Sequence, residues 1–190
     1  MGESAGELLA DFRADLDIDE AIEIAEEGAE GPEGHLVIGT GILAVYTELA
    51  LDLETGDDPR VVDADGPEIL YTVADSFTGL LRQQAFLRFE LGACAVRLKF
   101  GVPANRLELA EVRAALSRQG FSFRSFSDSV NLCGFRDDLR VGAFQLPMAF
   151  GWITLAGPDV ETVEEVGMAL ARALDLRTGR LDGPGVTAEG

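Results

Sequence analysis

The chain has 190 residues, 34 of them Asp or Glu against 15 Lys or Arg, a formal net charge of −19, with 47% apolar and 7% aromatic residues. That much apolar side chain can fill a core, which excludes a disordered tail, and no apolar run reaches the roughly 18 residues that cross a bilayer. One histidine, His35, and two distant cysteines, Cys94 and Cys133, without CxxC or HExxH spacing, exclude a Cys/His zinc site and a disulfide framework; a single Cys94–Cys133 bridge stays open, with two buried free thiols the plainer reading.

In chain order, Leu9, Phe12 and Leu16 at helical spacing predict a helix over 4–16. Asp17 and Glu20 have capping-box spacing and open a second helix through Ile18, Ala21, Ile22 and Ala25. Gly and Pro in residues 27–34 break it. Short apolar runs at 35–39, 44–53, 60–64 and 69–74, separated by turns rich in Gly, Asp and Pro, predict a small antiparallel sheet of three or four strands. Asp75 or Ser76 then caps a helix through Phe77, Leu80, Leu81, Ala85 and Leu91, with a break near Gly92 and a continuation to about Lys99. Asn105 and Glu108 open another helix through Leu109, Val112 and Leu116, ended by Gly120. Strands follow at 121–126, 130–135, 139–146 and 150–156, then a helix from 159 to 174 and a tail at 177–190 that reads as frayed.

Helices, sheet, helices, sheet, helix is an α+β order, not the strict alternation of a doubly wound fold. The expected organisation is an acidic helical N-terminus plus an α+β half over 1–100, a second α+β half over 101–175 packed on the first, and a flexible tail over 176–190.

Charge is uneven. Residues 1–34 carry a net −11, 35–75 carry −8, 76–140 carry +4 and 141–190 carry −4. An acidic first part suits capture of a basic partner, internal neutralisation by the arginines at 82, 88, 97, 106, 113, 118 and 124, or salt adaptation, which the single lysine, Lys99, against 14 Arg also fits. The overall charge argues against binding nucleic acid through its phosphates. An acidic N-terminus, where a signal peptide would be basic, predicts a cytoplasmic protein with no membrane association. A homo-oligomer is compatible with everything here.

Three motifs are weighed against plainer readings. Gly39-Thr-Gly41-Ile-Leu-Ala44 fits the G-x-G-x-x-A dinucleotide pattern, with Asp63 or Asp65 near the required distance. Ile42, Val45, Tyr46 and Thr47 favour strand over helix, so a glycine-rich hairpin is preferred. Asp63-Ala-Asp65-Gly66 starts like a calcium loop, but the twelfth position is Ala74 and not Glu, so these acids read as turn formers at a sheet edge. His35 could be assembled with Glu33 and with Ser76, Ser129 or Cys133, yet no flank resembles a nucleophile elbow, and the histidine reads as a surface strand end. No cofactor, metal site or catalytic residue is expected.

Residues 36–91 carry a further pattern. Leu36-Val-Ile-Gly39 is followed by Leu51-Asp-Leu-Glu-Thr-Gly56, by Val61-Val-Asp-Ala-Asp65, and by Val73-Ala-Asp-Ser-Phe77 with its Leu80-Leu81 helix. This resembles the SUKH superfamily, also called Smi/Knr-like, which includes many bacterial immunity proteins that neutralise toxins, often nucleases. The resemblance implies an α+β first half and a role in protein binding without catalysis.

The leading expectation is a non-enzymatic acidic module that binds a basic protein, an immunity protein against a nuclease-type toxin. Its candidate contact residues are Asp52, Glu54, Asp57, Asp58, Asp63 and Asp65, expected to emerge largely at one end of the sheet. The alternatives are a small-molecule or nucleotide-binding regulatory domain using the Gly39–Ala44 turn, and a salt-adapted structural or assembly component.

Overall fold

The computed structural model describes residues 32–40, 47–103, 108–145, 150–177 and 179–183. The helices expected over 4–16 and 17–25 lie outside these residues. The chain is α+β, with two antiparallel sheets of four and six strands and three α-helices among the described residues. It divides into two compact units, Met1–Phe77 and Thr78–Gly190.

In the first unit β1 (His35–Thr40), β2 (Glu48–Asp52), β3 (Arg60–Asp65) and β4 (Glu68–Ala74) pair in chain order as a meander. Gly66, at φ +55°, supplies the left-handed residue that closes the β3–β4 turn. Val37, Ala50 and Val62 cluster on one face. Leu49, Leu51, Val61 and Tyr71 are buried on the other. Burial on both faces explains why β2 and β3 read as apolar runs and not as an alternation.

The second unit begins on α1 (Phe77–Ala85), which runs into a π-helical turn, Phe86–Leu91, and stops at Gly92. The continuation to Lys99 expected from apolar spacing is not there: Val96–Pro103 is β5. The reason is visible in burial, since Val96, Leu98, Phe100 and Val102 are buried while Lys99 and Gly101 are exposed, a period of two. After α2 (Leu109–Arg118) come β6 (Ser122–Phe123), β7 (Asn131–Arg136), β8 (Leu139–Gln145), β9 (Phe150–Gly157), α3 (Val160–Leu174) and β10 (Arg180–Asp182). The six strands lie in the order β10-β5-β9-β8-β7-β6. Part of the expected frayed tail is therefore an edge strand, with Arg180, Leu181 and Asp182 paired to Lys99, Leu98 and Arg97.

Helices α2 and α3 pack on one face of this sheet around Leu116, Leu155, Val163 and Leu170, and the π-helical turn packs on the other through Phe86 and Leu91. Asp159 caps α3 by accepting the Thr162 N–H at 2.8 Å. Buried Gln83 on α1 donates to the Phe126 carbonyl at 2.9 Å and to Asp128 at 2.7 Å, tying the loop before β7 to the helix.

The division into units sharpens the charge asymmetry. Met1–Phe77 holds 21 acids and two bases, whereas Thr78–Gly190 holds 13 of each. The whole net charge of −19 belongs to the first unit.

Candidate functional site

The acids singled out from the sequence sit on or near the β2–β3 connection. Asp52 ends β2 and stands opposite Arg60, which opens β3. Arg60 Nη2 donates to Asp52 Oδ2 at 2.6 Å, and the Glu54 N–H donates to Oδ1 at 3.3 Å. The Arg60 hydrogen bond, reinforced by the Glu54 N–H and opposed by burial, holds the Asp52 carboxyl below the usual carboxylate range. Thr55 Oγ1 donates to the Asp52 carbonyl at 2.7 Å and accepts the Arg60 N–H at 2.8 Å. The 3₁₀ turn Leu53–Thr55 is thereby fixed at both ends.

His35 completes the base of this corner. It stands opposite Asp52 across the β1–β2 pair, with Nε2 3.9 Å from Asp52 Oδ1 and Nδ1 3.0 Å from the Glu33 carbonyl. Only 7% of its side chain is exposed, so the surface strand end expected from the sequence is corrected to a buried ring.

On this base the corner presents Leu53, 53% exposed, with Glu54, Asp57 and Asp58, all exposed. Gly34 lies close enough that a β-carbon there would come within 3.3 Å of Glu54 Oε1, and its carbonyl accepts the Leu53 N–H at 3.1 Å.

The other two candidates do not join them. Asp63, read as a turn former, is fully buried inside β3, where Tyr71 Oη donates to its Oδ2 at 2.7 Å. Burial, then the Asp63 hydrogen bond and charge, pushes the Tyr71 hydroxyl above its usual range. Asp65 is exposed but ends β3 at the opposite edge from Arg60, about 16 Å away at roughly 3.3 Å per residue. The shared end of the sheet therefore holds Glu54, Asp57 and Asp58 over Asp52. Leu53 and Arg60 were not singled out from sequence. The available signal was Leu49-Leu51-Leu53, in which a third leucine falls past the end of the strand.

Gly39 and Thr40 belong to β1, which pairs antiparallel with β2 across residues 41–46, positions outside the described residues. This is hairpin pairing and not the parallel βαβ unit a dinucleotide fingerprint requires. Of the arginines in the middle segment, Arg106 lies outside the described residues. Arg113 stacks 4.6 Å from the Phe123 ring centroid and Arg124 4.6 Å from that of Phe135, while Arg124 and Arg140 both reach Glu90. Both cysteines are free, and burial pushes the Cys133 thiol up to about 12 and the Cys94 thiol upward as well, a direction that suits packing better than reactivity.

Among the described residues no group of three or more His, Cys, Asp or Glu could hold a metal ion, and no helix is long and apolar enough to cross a membrane. Comparison of the chain with protein-family models, with curated proteins and with solved structures finds no match.

Proposed function

We propose that the chain is a non-enzymatic binding module that captures a basic protein on the exposed corner Leu53–Asp58. The observation that carries this is the confinement of the net charge of −19 to Met1–Phe77, the unit that presents the corner. General salt adaptation would spread acids over both units; a field concentrated on one unit steers an oppositely charged partner and raises its association rate. Leu53 adds an exposed apolar side chain on the same corner, so that an anchor desolvated on binding can supply affinity while the charges supply speed. The resemblance to SUKH immunity proteins supports a cytoplasmic toxin-neutralising role. A nuclease toxin is a partner of the right sign, because it must itself hold phosphates.

The test uses the partner recovered from the native host and stopped-flow association at low salt. Asp57→Lys with Asp58→Lys should slow association about tenfold or more, with stability unchanged to within about 0.5 kcal/mol. Equal rates for the wild-type and double-Lys proteins would remove the corner from the binding surface.

A further inference from the structure

The second unit carries a surface of the opposite character. On β5, Val96, Leu98, Phe100 and Val102 face the α2–α3 core, so Arg97, Lys99 and Gly101 face the other way. Residues directly opposite in an antiparallel pair share a face. The register therefore puts Arg180 and Asp182 beside Lys99 and Arg97, Trp152 beside Gly101, and Phe144 beside Trp152. The π-helical turn covers the β8–β9 part of this face, with Leu87 and Leu91 against Gly142 and with Thr154 and Ala156 buried, which leaves the β10–β5 margin and the Trp152 end open. The described strands place four cations on the face, at 97, 99, 140 and 180, against Asp182, and the turn adds Glu90. Arg140 is occupied by Glu90, and Arg180 reaches Asp182 at 3.1 Å while its side chain stays 81% exposed.

Trp152 is 39% exposed and its ring lies 4.5 Å from that of Phe144, tilted by 48°. Gly101 opposite it has nothing within 4 Å of where a β-carbon would be, so the strand beside the indole stays open. Lys99 is the diagonal neighbour of Trp152, at the roughly 7–8 Å spacing of such pairs. An exposed aromatic ring with a cation at that distance matches a planar base and the phosphate attached to its sugar.

We infer that this sheet face binds a nucleoside phosphate, the base lying on Trp152 and the phosphate held by Lys99 and Arg180. The whole-chain charge argues against phosphate ligands, but the acids responsible belong to Met1–Phe77, whereas Thr78–Gly190 is neutral and this face is positive. The inference is independent of the acidic corner.

Trp152 is the only tryptophan of the chain, so its fluorescence reports this face alone. The full chain would be titrated with uridine monophosphate, with a single-stranded thymidine octamer and with an oligoglutamate of equal charge. The medium would be 0.1 M salt, where a Debye length of about 10 Å screens more distant acids. Quenching by the monophosphate supports a free nucleotide as ligand; tighter binding of the octamer supports a nucleotide within a single strand. By anisotropy of a labelled ligand, Trp152→Ala and Lys99→Glu should each weaken binding about tenfold, and Trp152→Phe should retain most of it. Absence of quenching up to about 1 mM of either nucleotide would overturn the inference. So would equal binding of the oligoglutamate, which would make the face a dock for an acidic protein.

Discussion

Asp52 and Asp63 look alike in sequence, each an acid in a short strand next to a turn, and the structure uses them differently. Asp52 is held by Arg60 and anchors an exposed corner, whereas Asp63 is sealed in the sheet against Tyr71. Because the Asp52 carboxyl is more acidic folded than unfolded, it contributes stability above the unfolded value of roughly 3.9 and loses it as pH falls through the lower folded value. Asp52→Asn should therefore cost about 1–2 kcal/mol at pH 7, a hydrogen-bonded pair with one partly exposed member. The difference from wild type should shrink as pH falls from 7 through the lowered folded value of Asp52. Urea denaturation over a descending pH series measures this; a penalty independent of pH would mean the pair contributes by shape and not by charge. The sequence makes the acids of the corner legible because Glu54-Thr-Gly-Asp-Asp-Pro59 is turn chemistry. It conceals Asp63, whose partner Tyr71 is brought opposite only by irregular β3–β4 pairing, with shifts between Val61 and Val62 and between Asp63 and Ala64. No fixed counting rule follows a strand through such shifts.

At the level of elements, the hydrophobic pattern made most of both sheets and all three described helices visible, because their apolar periods are bounded by Gly, Pro and Asp. Two strands escaped for separate reasons. The start of β5 follows a helix that ends in leucine, so Val96 can be counted into the helical stripe unless the alternation through Val102 is weighed. β10 is three residues in a Gly- and Pro-containing segment, and only long-range pairing with Lys99, Leu98 and Arg97 makes it a strand. What separates α1 from β5 is the π-helical turn and Gly92, where a β-carbon would stand 2.3 Å from the Arg88 carbonyl oxygen. Gly92→Ala must push that backbone apart, at a cost of about 1–3 kcal/mol. Helix propensity alone would predict a gain on replacing glycine. A melting temperature at or above wild type would show that the turn relaxes freely.

Across the molecule, the confinement of net charge to one unit predicts an uneven response to salt. Repulsion among the acids of Met1–Phe77 is screened as the Debye length falls from about 10 Å at 0.1 M to about 3 Å at 1 M. The melting temperature should be higher in 1 M KCl than in 0.05 M. The shift should be larger by circular dichroism than by Trp152 fluorescence, which reports the neutral unit. A fall in melting temperature with salt would mean that attraction to arginines, and not repulsion among acids, dominates.

Strand β5 also sets the order in which the second unit can assemble. Its neighbours in the sheet are β9 and β10, which begin at Phe150 and Arg180, while β5 itself ends at Pro103. On a ribosome, where chain emerges at about 5–20 residues per second, β5 is made several seconds before either flank exists. Its backbone donors and acceptors stay open for that interval, the condition under which unfinished chains stick to one another. Met1–Phe77, already synthesised, travels with it as a highly charged leader, and like charge between neighbouring nascent chains opposes such encounters. The acidic unit is thus expected to keep nascent chains apart while β5, which among the described strands waits longest for a strand partner, is still unpaired.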